Sequence, residues 1–205
     1  MKVERSRDLD RVLTFVDAIA AIAITLLILP LVDVANEHDG PAGELLRENL
    51  GQLGAFALSF LVILRFWWAQ HVMVRDAVVD DRPFDLALMA WAFTIVFMPF
   101  PTSLAAGEFD DAPTRALYIG TMAASAIALT VLAWTMNRNP RITEGNPPPS
   151  MTASLTLSVM FVVALIIAVS FSAIGYLALL LLFLSGPLER QFEKVAHRFE
   201  GGKKG

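Results

Sequence analysis

Apolar residues run along this chain in blocks that set its element pattern. A helix rising 1.5 Å per residue needs about 20 predominantly apolar residues to cross a hydrocarbon core about 30 Å thick. Four runs meet that length, at residues 12–31, 50–72, 86–106 and 116–136. From Gly145 to Leu188 no charged residue occurs in 44 positions. That stretch is too long for one helix and fits two, at 151–169 and 173–188, with Ser170, Ser172 and Gly175 marking the turn between them. Asn146 to Pro149 form a polar, proline-rich end to the preceding loop and are too few to separate domains. The pattern predicts an all-α integral membrane protein with six spanning helices in a single domain, 1–205.

Composition sharpens this. Of 205 residues, 56% are hydrophobic and 18% charged, with a mean hydropathy of +0.58. A soluble domain carries about a quarter of its residues as charges, so this chain has too few to clothe a wet surface. Disorder, a nucleic-acid module and a secreted disulfide scaffold are excluded together. The chain has no cysteine, hence no thiolate ligand or thiol nucleophile, and its net charge of −4 with pI near 5.3 offers no general attraction to polyanions. The N-terminal charges followed by an apolar run are not read as a signal peptide, because the run is long enough to span and carries Asp17.

Lysines and arginines stay preferentially on the cytoplasmic side during insertion. With six spans and both termini inside, thirteen of the sixteen basic residues fall on inner segments, among them Arg5, Arg7, Arg11, Arg75, Arg82, Arg138 and Arg141, against Arg47 and Arg115 outside. The outer loops are acidic, with Asp33, Glu37, Asp39, Glu44 and Glu48 in the first and Glu108, Asp110 and Asp111 in the second. Both termini are therefore expected in the cytoplasm.

Ionisable groups inside a span are costly and few here: Asp17 in the first helix, Arg65 and His71 in the second. Arg65 lies about 10 Å from its helix end, within reach of headgroups for a snorkelling side chain beside Trp67 and Trp68. On the first helix, a 100° step per residue puts Ile22, Thr25, Leu26 and Leu29 on one stripe, with Asp17 at about −140° from Ile22, facing neighbouring helices. Asp17 and His71 come to similar depth on adjacent antiparallel helices, which suggests a carboxylate–imidazole hydrogen bond. An Ile/Leu stripe is ordinarily packing or lipid contact, and spacing alone does not make it a pore. No Ser/His/Asp set, paired intramembrane carboxylates, His cluster or glycine-rich phosphate loop appears, so no enzyme activity, resident cofactor or metal site is expected.

Arg11, Phe15 and Asp17, followed by Ala18-Ile19-Ala20-Ala21-Ile22-Ala23-Ile24-Thr25-Leu26-Leu27-Ile28-Leu29-Pro30-Leu31, resemble the first-helix signature of the transmembrane protein 175 family. Ser59-Phe60 and Trp68-Ala69-Gln70-His71 resemble its second-helix marks, and Pro99-Phe100-Pro101-Thr102 the end of its third. The resemblance implies a potassium-permeable channel, imperfectly selective over sodium, in the plasma membrane of a prokaryotic cell. A single six-helix repeat then implies a homotetramer whose four first helices line the pore. Carried over residue by residue, it places apolar constriction rings at Ile22, Leu26 and Leu29 and a hydroxyl layer at Thr25, with Arg11, Phe15, Asp17, Trp68 and His71 in the motif and helix-packing network. There is no Thr-Val-Gly-Tyr-Gly filter; an apolar ring gates by dewetting and favours the ion that loses water more cheaply. Val16 stands where the family has serine. The implied partners are potassium ions, the lipid bilayer and other copies of the chain. A secondary transporter of potassium or another small cation, and a non-transporting membrane scaffold, are the alternatives.

Overall fold

A computed structural model describes residues 5–107, 111–144 and 146–170. These residues form eight helices and no strand: α1 Arg7–Leu26, α2 Leu29–Glu37, α3 Ala42–Glu48, α4 Leu50–Val74, α5 Arg82–Phe97, α6 Pro99–Ala106, α7 Ala112–Arg138 and α8 Met151–Ser170. By length and composition they make five membrane spans, Arg7–Glu37, Leu50–Val74, Arg82–Ala106, Ala112–Arg138 and Met151–Ser170. The sixth expected helix, 173–188, lies outside the described residues.

Caps explain why three spans begin earlier than their apolar runs. Ser6 accepts a hydrogen bond from the Leu9 amide at 3.2 Å and starts α1 five residues before the run at 12. Asp81 accepts from the Phe84 amide at 2.9 Å, and Asp111 from the Thr114 amide at 3.0 Å, each followed by a proline in the first turn of the helix. A side-chain oxygen thus satisfies an amide donor that has no partner within the helix, and proline supplies a preset φ where its missing donor costs nothing.

Prolines also interrupt two spans that the sequence pattern treats as continuous. The first breaks at Leu27–Ile28, two residues before Pro30, and the third at Met98, directly before Pro99. Pro30 has no amide hydrogen for the Leu26 carbonyl, and its ring collides with that carbonyl, so the helix restarts through the Leu31 and Val32 amides on the Ile28 carbonyl at 3.0 and 3.1 Å. The short helix α3, in the acidic connection between α2 and α4, is an element the hydropathy pattern did not predict.

Helix α7 is the hub, packing against α8, α5 and α6, while α1 lies on α5 and α4. Lipid tails are as apolar as leucine, so helices gain little from hiding apolar surface from one another; close backbone approach and interhelical hydrogen bonds do the holding. The α7 sequence supplies both. Ala123, Ala126, Ala128 and Ala133 are buried. Thr130 Oγ1 lies 2.7 Å from Ser158 Oγ on α8, Ser125 donates to Thr94 on α5 at 2.7 Å, and Tyr118 meets Ser59 on α4 at 2.7 Å.

One end of the bundle is stitched by its backbone. The Ser6 amide donates to the Val78 carbonyl and the Val78 amide to the Ile142 carbonyl, both at 2.8 Å. Arg5 donates from Nε to the Ala77 carbonyl at 2.8 Å and from Nη2 to the Arg75 carbonyl at 2.6 Å. The segment before α1, the α4–α5 turn and the α7–α8 loop are thereby joined.

Candidate functional site

The two faces of α1 have opposite fates. Leu9, Leu13, Val16, Ala20, Ala23 and then Leu27 are buried against the rest of the chain. Ile22, Leu26 and Leu29 remain 58%, 40% and 52% exposed, and Thr25 is exposed among them. The four residues of the expected stripe therefore do share one uncovered face, although Leu29 reaches it from α2, beyond the break, where a constant 100° step no longer applies. The Thr25 hydroxyl donates to the Ile22 carbonyl at 2.8 Å. Its one hydrogen is committed to the helix, so what it presents outward is oxygen lone pairs.

Arg11 and Phe15 are exposed on α1 as well. Asp17, on the other side, is held from α4, and the partner corrects the expectation. Trp67 Nε1 donates to Asp17 Oδ1 at 2.8 Å; His71 forms no hydrogen bond with Asp17. Trp67 and His71 are one turn apart on α4 with ring centroids 5.4 Å apart, and the indole, the longer of the two, reaches the carboxylate while the imidazole lies against it. Trp68 is exposed, its ring stacked on His71 at 6.1 Å. Trp67 is thus the partner that the Trp-x-x-His spacing passed over. Val16, in the position of the family's serine, is fully buried and fills its place by apolar packing.

Two quoted motifs converge on a junction the sequence did not connect. Thr102 Oγ1 lies 3.0 Å from Ser59 Oγ and 2.8 Å from the Met98 carbonyl, and Ser59 Oγ lies 2.7 Å from Tyr118 Oη. Ser59 and Thr102 are buried. This hydroxyl cluster ties α4, α6 and α7 together beside the Met98 break. On α2 and along the connection to α4, the carboxylates Asp33, Glu37, Asp39, Glu44 and Glu48 are all exposed, with His38 Nδ1 4.0 Å from Glu48.

Five apolar spans with hydroxyl-linked interiors define a multi-pass membrane protein, and the first of them keeps a face that stays exposed among the described residues. Residues 11–99, which hold this face and its Asp17–Trp67 support, match the family model of the endosomal/lysosomal potassium channel TMEM175. The chain is also similar to the potassium channel B446_29190 of Streptomyces collinus (strain DSM 40733 / Tue 365), 29% identical over 185 residues that cover 87% of this chain and 84% of the relative. The family model over residues 11–99 and the relative along most of the chain both describe potassium channels, not enzymes.

Proposed function

We propose that four copies of this chain form a potassium-permeable channel in which the uncovered face of α1 and α2 lines the ion path. The observation that carries the reading is that Ile22, Thr25, Leu26 and Leu29 stay exposed while Leu9, Leu13, Val16, Ala20 and Ala23 of the same helix are buried. A four-fold arrangement gives such a face a partner in itself. Ile22 then forms the narrowest apolar ring, Leu26 and Leu29 further rings, and Thr25 a layer of hydroxyl oxygens one turn outward from Ile22. An apolar ring offers no oxygen to replace hydration water, so it obstructs by dewetting and passes the ion that sheds water more readily, potassium before sodium. Arg11, Phe15, Asp17, Trp68 and His71 belong to the assembly of the helices around that path. The chain is one domain in the plasma membrane with both termini in the cytoplasm; the exposed carboxylates then stand at the outer mouth, where they enrich cations.

The test is ion flux into vesicles reconstituted with the purified chain. Potassium uptake should follow its electrochemical gradient, exceed sodium uptake, and change in Ile22→Asn. Vesicles without potassium flux, or flux unaltered in that variant, would overturn the reading. The interrupted spans at Leu27–Ile28 and Met98 favour a second one, a secondary transporter, because such proteins bind substrate at broken helices. Its mark in the same assay is saturating uptake that depends on a counter-ion. The residues flanking both breaks are apolar.

A further inference from the structure

Arg65 has no part in the proposed ion path, yet it sits within a span and lines a cavity of about 480 Å³ between α4, α7 and α8, inside the size range of ligand sites. The cavity is graded. Leu129 and Leu157 form its apolar inner end; Arg75, Asp76 and Ser150 surround its mouth at the stitched end of the bundle; Trp68, exposed, stands on its rim. Arg65 on α4 and Arg75 at the cap of that helix face the same space from positions ten residues apart, about 15 Å along the axis. Asp76 lies 3.5 Å from Arg75 and engages one of its nitrogens, Nη2, leaving the rest of the fork.

We infer that this cavity holds one anionic diacyl phospholipid, its phosphate on Arg75 and Arg65 and one acyl chain between α4, α7 and α8. The gradient matches such a molecule, charged and hydrogen-bonding at the membrane surface and apolar beyond it. A guanidinium is not stable among acyl chains, so Arg65 turns its stem toward the headgroup level that Arg75 marks. Trp68, three residues beyond Arg65 toward that level, adds an indole of the kind that settles near the boundary. Arginine is suited to phosphate because its fork donates two parallel hydrogen bonds. The inference does not depend on the pore.

Native mass spectrometry of the full chain in detergent, with phosphatidylglycerol or phosphatidylcholine added, tests it. Phosphatidylglycerol should be retained in preference to phosphatidylcholine. Each of Arg65→Gln and Arg75→Gln should weaken retention about fivefold, and the pair about thirtyfold, as the loss of one or two basic groups near a lipid surface implies. Arg65→Lys should keep the preference, and Ala153→Phe, which fills the slot and leaves the charges, should abolish retention. Inorganic phosphate at millimolar concentration should not displace the lipid; displacement would mean a phosphate-ion site and overturn the lipid assignment. Equal retention of the two lipids, or phosphatidylglycerol retained unchanged by the double variant or by Ala153→Phe, overturns it as well and leaves the slot to packing against another chain.

Discussion

Helices α1 and α7 are both apolar spans, and they solve different problems. Helix α7 is the most buried of the five spans, and its hydroxyls at Tyr118, Ser125 and Thr130 all find partners within the chain, on α4, α5 and α8. Helix α1 is packed on one side among the described residues, and its exposed hydroxyls, Thr14 and Thr25, are both turned back on their own backbone. The difference teaches that burial and interhelical hydroxyl pairing separate a helix that ties the bundle together from one that, like α4 and α8, leaves an apolar face to whatever surrounds the subunit. Hydropathy does not make that separation, since both helices qualify as spans on that measure.

The comparison breaks most readily at Ile22. Ile22→Asn puts an amide into the proposed constriction; potassium flux should rise roughly tenfold or more, the factor gained by lowering a barrier about 1.4 kcal/mol, and preference over sodium should fall. Ion-flux assays check it. If α1 is a scaffold like α7, the same change should disturb assembly and leave no conducting species.

Next in size are paired insertions on the two faces. Ala20→Leu, on the buried side of α1, and Ala126→Leu, buried in α7, should each cost about 1–3 kcal/mol through overpacking, read as a lower melting temperature in detergent. Ala21→Leu, on the exposed side of α1, should leave the melting temperature of the subunit nearly unchanged and alter tetramer yield on size exclusion. Equal effects of Ala20→Leu and Ala21→Leu on melting would erase the contrast.

Smaller again is the support behind the open face. Trp67→Phe strips Asp17 of its hydrogen bond inside the span, and a half-buried acceptor left unpaired costs about 1 kcal/mol, whereas His71→Ala loses only ring contact. Thermal unfolding should rank Trp67→Phe above His71→Ala; the reverse order would restore the imidazole as the carboxylate's partner.

The smallest effect belongs to the start of α7. The hydrogen bonds from Thr114 hold the Asp111 carboxyl below its ordinary range. A carboxyl lowered in the folded state adds stability that is present above its unfolded value and lost as pH falls through the folded one. Acidification below the usual carboxylate range should therefore loosen the first turn of α7, seen as faster amide exchange at Thr114, and Asp111→Ala should remove that pH dependence.

The chain's broad order was legible because membrane thickness imposes a length on apolar runs, and five of the six expected spans coincide with helices of the described residues. The face of Ile22, Thr25, Leu26 and Leu29 was legible because helical phase carries over short distances. Phase failed where Pro30 cancels a backbone hydrogen bond, and a sequence window that averages hydropathy does not register one missing donor. The choice of Trp67 over His71 depends on how far two rings on the same helix face reach, which residue spacing does not encode. The Ser59–Thr102–Tyr118 cluster joins positions far apart in the chain, and only packing brings their hydroxyls within 3.0 Å.

Arg5 and Ser6 give α1 a fixed base. Between that clamp and the interruption at Leu27–Ile28 the helix is a rod of 20 residues, about 30 Å long. A rod fastened at its foot and jointed near its tip moves least at the fastening, so displacement within this span concentrates around Leu29 and the joint, on the side of the molecule that bears the acidic loop. A fusion partner or purification handle placed at residue 5 would compete for the carbonyls that do the fastening, and would change the mechanics of a segment more than twenty residues away from it.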